Sequence, residues 1–172
     1  IERLCWDSVE YGFASACVNS IWVPLASKLL EGSLPLVCSV VGFPLGASNC
    51  TEEETSRAVS DGAEEIDMVL PLGLLKSGDT KAAGRYISDV VTAAGDASVK
   101  VIIETCLLSD EEKVLACRIA MDNGAAWVKT STGFGSGGAS ASDVRLMKRT
   151  VGHRLGVKAS GGIGTLDDAL EM

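Results

Sequence analysis

Apolar runs and helix-period segments alternate along the whole chain. Six runs, Phe13–Val18, Leu36–Val41, Glu65–Leu70, Val99–Glu104, Ala126–Thr130 and Gly156–Ala159, are short, rich in valine and isoleucine and nearly continuously apolar. Strands buried on both faces read this way. The segments between them carry helix punctuation. Thr51 followed by Glu52, Glu53 and Glu54 reads as an N-cap with a capping-box acid three residues on, and Ser109 with Asp110, Glu111 and Glu112 repeats it. Ser140 or Ser142 opens a further helix, and Thr165 with Asp167 and Asp168 the last. Gly12, Gly62, Gly95 and Gly124 fall where helices should turn into strands. The pattern predicts six strands and seven helices.

Strict alternation of this kind means a parallel sheet with right-handed crossovers. A doubly wound open sheet and a (β/α)8 TIM barrel both satisfy it. A weak repeat adds detail: Asp61-Gly62-Ala63-Glu64-Glu65-Ile66-Asp67 matches Asn123-Gly124-Ala125-Ala126-Trp127-Val128-Lys129, and Cys17 likewise lies five residues after Gly12. One α-to-β unit therefore puts Cys17, Asp67 and Lys129 at equivalent heights in alternate strands. As a barrel, residues 1–172 form a single domain that lacks the first and last strands, which would lie before Ile1 and after Met172. The gap would fall between the strands of Cys17 and Lys158.

Composition narrows the function. The 172 residues include 15 Lys+Arg and 23 Asp+Glu, for a formal net charge of −8. That balance argues against nucleic acid or an anionic membrane as partner. No apolar stretch reaches the length of about 18 residues that a membrane span needs. The N-terminus lacks a basic segment leading into an apolar run, so the expected location is the cytoplasm. None of the six cysteines forms a C-x-x-C pair, and reduced thiols are expected. With His153 the only histidine, a histidine-rich zinc site is excluded, and no G-x-S-x-G elbow accompanies it.

Chemistry enters through charges inside apolar strands: Asp67, Lys129, Lys158, and the pair Lys100 and Glu104. Strand interiors hold charges only when these are paired or functional. One alone would read as a structural ion pair; several in successive strands point to a site at the C-terminal strand ends. A lysine beside a second cation and partly desolvated has its pKa lowered from ~10.4 toward ~7–8. The neutral amine can then form a Schiff base with a carbonyl. Asp67, directly or through water, could move the proton of the adjacent acidified C–H. This chemistry requires no metal and no cofactor.

Glycine gives the second signal. Thr130-Ser131-Thr132-Gly133-Phe134-Gly135-Ser136-Gly137-Gly138 and Ser160-Gly161-Gly162 each follow a lysine-bearing strand and precede a helix. Bare N–H groups in such places bind phosphate. Gly133–Gly138 also matches G-x-G-x-x-G, but the next strand holds Lys158 where a dinucleotide site wants an acid, so NAD binding is disfavoured.

Taken together, Gly12–Asn19, Val41–Gly46, Glu65–Val69, Val99–Cys106, Val128–Phe134 and Gly156–Gly162 resemble the deoxyribose-phosphate aldolase family over essentially the whole chain. The resemblance implies a class I, metal-independent (β/α)8 barrel that reversibly cleaves 2-deoxyribose 5-phosphate to glyceraldehyde 3-phosphate and acetaldehyde. It implies Lys129 as the Schiff-base lysine, Lys158 as the lysine that assists it, and Asp67 as the proton relay. It implies substrate or phosphate contacts from Lys100, Cys17, Thr130, Gly133, Phe134, Gly161 and Gly162. The implied partners are small aldehydes and sugar phosphates, within a homo-oligomer, a dimer. Gly164 stands where the family usually has a basic residue, which should weaken phosphate binding by roughly 10–150-fold. The alternative is an impaired barrel fragment that only binds sugar phosphates or a partner.

A six-stranded open barrel exposes two sheet edges and an apolar interior. The chain is therefore expected to be marginal as a monomer and to self-associate. Thermal melting at several protein concentrations checks this: the midpoint should rise with concentration, and a sharp, concentration-independent transition of a monomer would contradict it.

Overall fold

In the computed structural model, which describes all 172 residues, helices and strands alternate as the pattern requires. The first half runs α1 (Glu2–Glu10), β1 (Ser15–Val18), α2 (Val23–Leu30), β2 (Leu36–Val41), α3 (Thr51–Ser60), β3 (Glu65–Val69), α4 (Leu72–Lys76) and α5 (Thr80–Ala94). The second runs β4 (Ser98–Ile102), α6 (Asp110–Asp122), β5 (Trp127–Lys129), α7 (Ala141–Val151), β6 (Gly156–Lys158) and α8 (Leu166–Glu171). All strands are parallel and each pairs with its neighbours in sequence, in the order β1-β2-β3-β4-β5-β6. A doubly wound sheet reverses its order at a switch point; this sheet does not, which leaves the barrel-type winding.

Register fixes the curvature. Cys17 pairs with Cys38 and Cys38 with Glu65, so Asp67 stands two residues above that level. Asp67 pairs with Lys100, and Lys129 pairs with Ile102, another two residues up. The stagger averages one residue per strand. A rise of about 3.3 Å for each step of about 4.8 Å tilts the strands by roughly 35°, the tilt of an eight-stranded barrel with shear eight. Positions that step up one residue per strand share a height along such a barrel. Cys17, Asp67 and Lys129 on β1, β3 and β5 thus occupy one layer. Cys38, Lys100 and Lys158 on β2, β4 and β6 occupy the layer next to it.

The two faces of the sheet differ. Ala16, Val18, Val37, Val41, Ile66, Met68, Val99, Val101, Ile103 and Val128 alternate onto the outer face and join one buried core with helix residues such as Val23, Ala58, Ile87, Val90, Cys117 and Met147. Each fully buried aliphatic side chain there contributes roughly 1.5–3 kcal/mol. The inner face carries cysteine, lysine and carboxylate residues.

Local details depart from expectation in three places. Helices number eight, because Leu72–Lys76 forms an extra short helix between β3 and α5. The N-cap of α3 is Cys50 and makes no side-chain cap bond; Glu54, expected to close a capping box with Thr51, instead accepts the N–H of Gly42 at 2.8 Å. Capping boxes do form at Ser109 with Glu112 and at Thr165 with Asp168, and Ser140 caps α7. Finally, β4 ends at Ile102, because Glu104 adopts a left-handed conformation, φ 52°.

Trp127 faces the interior from β5, and its register partner Gly156 leaves room for the ring. A Cβ built on Gly156 would lie 2.0 Å from Trp127 Cε3. Gly156→Ala should therefore lower stability by roughly 1–3 kcal/mol through overpacking, with most of the cost removed in a Trp127→Ala background. Urea unfolding of the two single variants and the double variant measures this.

Candidate active site

The two interior layers converge on one carboxylate. Asp67 is completely buried. Its Oδ1 accepts from Lys100 Nζ at 2.9 Å and from the Cys38 thiol at 3.3 Å. Its Oδ2 accepts from Lys129 Nζ at 2.7 Å and Lys158 Nζ at 3.2 Å, with the Cys17 thiol at 3.9 Å. In a flat sheet β3 and β6 would lie about 14 Å apart; the contact between Asp67 and Lys158 is a direct consequence of the curl. Below Asp67 on the same strand, Glu65 Oε2 lies 2.7 Å from Lys100 Nζ, an ion contact without hydrogen-bond alignment.

The charges sort the lysines. Burial works against the charged form of Asp67, but Lys129, Lys158 and Lys100 outweigh it and hold the carboxyl well below the usual range. Burial likewise opposes the charge on Lys100, yet Cys38, Asp67 and Glu65 hold its ammonium above the ordinary lysine range. Lys100 is thus a fixed counter-ion that orients Asp67 through Oδ1, leaving Oδ2 to the other two lysines. Interaction with Cys38 lowers the Cys17 thiol below its usual range, and the Cys38 thiol is raised by that same neighbour and by burial.

Beside this cluster lies a pocket of about 220 Å³, lined by Cys17, Asn19, Val40 and Phe43 on β1, β2 and the segments that follow them, and by Lys129, Thr132 and Phe134 on β5 and its loop. The Phe43 and Phe134 rings meet edge-on with centroids 5.4 Å apart. The two glycine-rich segments touch: Ala139 N–H donates to Gly161 O at 2.9 Å, and a Cβ on Gly138 would fall 2.2 Å from that oxygen. Thr130 Oγ1 binds both the N–H and the carbonyl of Ser160. The N–H groups of Gly133, Gly161 and Gly162 have no acceptor within the protein.

The structure therefore brings together Asp67, Lys129, Lys158, Lys100 and Cys17, with Phe134 at the pocket and Gly133, Gly161 and Gly162 on the adjoining loops. Thr130 is buried and its hydroxyl is committed to joining those loops. Sequence reasoning passed over Cys38 and Glu65; both sit on the inward half of the strand alternation that places Asp67, which was the available signal. Glu104 reads in the sequence as a strand charge without an assigned role. Cys17, Cys38 and Asp67 also offer three ligand atoms within 4.8 Å of one another. The lysines around Asp67 occupy its lone pairs and oppose a cation there.

The model of the DeoC/LacD family aldolases matches residues 2–172. The deoxyribose-phosphate aldolase of Streptococcus pneumoniae serotype 19F is 56% identical, over 99% of this chain and 78% of that protein. That of Brevibacillus brevis is 51% identical, over 100% of this chain and 79% of the relative. The solved deoxyribose phosphate aldolase of Aeropyrum pernix, described as tetrameric, superposes with a TM-score of 0.91 at 33% identity, over 99% of this chain and 73% of its own. No helix is long and apolar enough to cross a membrane.

Asp67 makes stability depend on acid. Its folded-state pKa lies below the unfolded value of ~3.9, so its contribution is whole above about pH 4 and declines as pH falls toward the folded value. Asp67→Asn should destabilise the chain by about 3–5 kcal/mol at pH 7, because the buried Lys100 and Lys129 and the partly exposed Lys158 lose their shared partner. The difference from wild type should shrink below about pH 4, as read from urea unfolding across pH.

Proposed function

The chain belongs to the DeoC/LacD family of aldolases, and we propose that it cleaves 2-deoxyribose 5-phosphate reversibly to glyceraldehyde 3-phosphate and acetaldehyde through a Schiff base on Lys129. The observation that carries this reading is the shared oxygen: Lys129 and Lys158 both meet Asp67 Oδ2, and Lys129 lines the pocket. Residues 1–172 are read as part of one barrel domain, acting on small molecules within a homo-oligomer. The assembled cluster gives no support to a role in binding alone.

In the cleavage direction, the neutral Lys129 amine attacks the C1 aldehyde of the open-chain sugar. The carbinolamine loses water to give a protonated imine. The C3 hydroxyl then gives up its proton and the C2–C3 bond breaks. The bonding electrons pass into the imine, leaving an enamine and releasing glyceraldehyde 3-phosphate. Protonation at C2 and hydrolysis release acetaldehyde and restore Lys129. Asp67 Oδ2, acting through a water, is the relay for these protons, with Lys158 as its second donor. Both amines reach the same carboxylate oxygen, Lys129 at 2.7 Å and Lys158 at 3.2 Å, so a proton has a short path between either of them and Asp67. Lys100 holds Asp67 in place throughout.

The C5 phosphate is assigned to the glycine loops, where unpaired N–H groups of Gly133, Gly161 and Gly162 are available. Gly164 brings no side-chain cation, and its N–H is already held by Asp168 at 3.1 Å. Phosphate recognition in this chain therefore rests on backbone donors.

Borohydride reduction in the presence of acetaldehyde, followed by peptide mass mapping, tests the reading. A reduced two-carbon adduct should form on Lys129 and vanish in Lys129→Ala. Lys158→Leu should lower kcat by about 10²–10⁴-fold. A folded protein that forms no adduct would overturn the Schiff-base mechanism.

A further inference from the structure

We propose that Glu104 is a positioning residue for phosphate recognition, acting through the Thr132–Phe134 segment of the glycine-rich loop. The inference takes the identity of the ligand from the aldolase reading above and rests otherwise on geometry. Glu104 is the one non-glycine residue of the chain with positive φ. Glycine would adopt that conformation without steric cost, so the side chain is the feature to explain. Glu104 is 4% exposed, and its carboxylate has no lysine or arginine within ion-pair distance. A buried charge without a counter-ion is a poor stabilising device. Its partners are the Thr132 N–H and hydroxyl of the glycine-rich loop and, at 3.9 Å, the Cys106 thiol of the short 3-10 turn that follows Glu104.

Both Glu104 oxygens lie 3.3 Å from the Thr132 N–H, and the Thr132 hydroxyl donates to Oε2. The same hydroxyl accepts the Phe134 N–H at 3.1 Å. The N–H groups of residues 132 and 134 are thereby drawn into the protein, and that of Gly133 between them is left without a protein acceptor. Gly135 completes the fit, since a Cβ there would lie 3.2 Å from the Glu104 carboxylate. The left-handed turn at Glu104 also lets the next N–H, that of Thr105, bond Thr130 O at 2.9 Å, which fixes the start of the same loop. Glu104 thus holds the backbone on both sides of the Gly133 N–H and acts on that donor through Thr132.

The test compares Glu104→Ala, Glu104→Gln and wild type in the synthesis direction, with acetaldehyde and either glyceraldehyde 3-phosphate or glyceraldehyde as acceptor. Glu104→Ala should raise KM for the phosphorylated acceptor about tenfold, the effect of one lost hydrogen bond to a charged group, while kcat and the KM for glyceraldehyde stay within about twofold. Glu104→Gln, whose amide oxygen can accept from Thr132, should recover most of the loss. Equal losses on both acceptors, no change with either, or a glutamine variant as impaired as the alanine one would overturn the proposal. Titration with inorganic phosphate provides a readout independent of turnover: Glu104→Ala should bind it about tenfold more weakly than wild type. A wild type without turnover or Lys129 adduct would sink the aldolase reading. Weaker phosphate binding by Glu104→Ala would support the positioning role even then, and unchanged phosphate binding would overturn it.

Discussion

The buried negative charge of Asp67 is the constraint that organises this molecule. A carboxylate removed from water carries a penalty of several kcal/mol unless its lone pairs are met, and five donors from five other strands meet this one. The lysines in turn need Asp67 for the same reason. Lys100 and Cys38 reach Asp67 from the adjacent strands, but Lys158 on β6, three strands away, could not do so in a flat sheet. The one-residue stagger and the curl bring them together, so the electrostatics of the interior and the shape of the sheet depend on each other.

The two oxygens of that carboxylate have different surroundings. Lys100, Glu65 and Cys38 lie on the Oδ1 side, are buried or nearly so, and hold charge in place. Lys129 and Lys158 lie on the Oδ2 side, where Lys158 remains about one-third exposed and Lys129 borders the pocket. In the proposed mechanism the proton moves on the second side, and the contacts of the first are not involved. The apolar outer face supplies the rigidity this needs: Ile66 and Met68 flank Asp67 in sequence and are fully buried against helices, which fixes the strand that presents it.

Much of this was legible in the residues. The spacing from Gly12 to Cys17, from Gly62 to Asp67 and from Gly124 to Lys129 is a barrel layer written in sequence, because each glycine marks the same helix-to-strand turn. Ser109 and Thr165 announced their helices because a capping box is local. Thr51 misled because Glu54 is used over a longer range, on the N–H of Gly42. The place of Lys100 beneath Asp67, rather than beside the pocket, depends on register between β3 and β4, which no single strand encodes. Glu104 looked like the end of a strand; its left-handed turn answers to Thr130 and Thr132 on another segment, so nothing near it in sequence signals the break.

Gly138 and Gly161 meet backbone to backbone, with no space for a methyl group on the first and little on the second. The two loops that carry the unpaired N–H groups are therefore not independent characters in descent. A change in one is read at once by the other, and a lineage can alter this end of the pocket only by moving both strand ends together. Variation in what the site accepts should accumulate instead on the Phe43 side, where side chains rather than backbone form the wall.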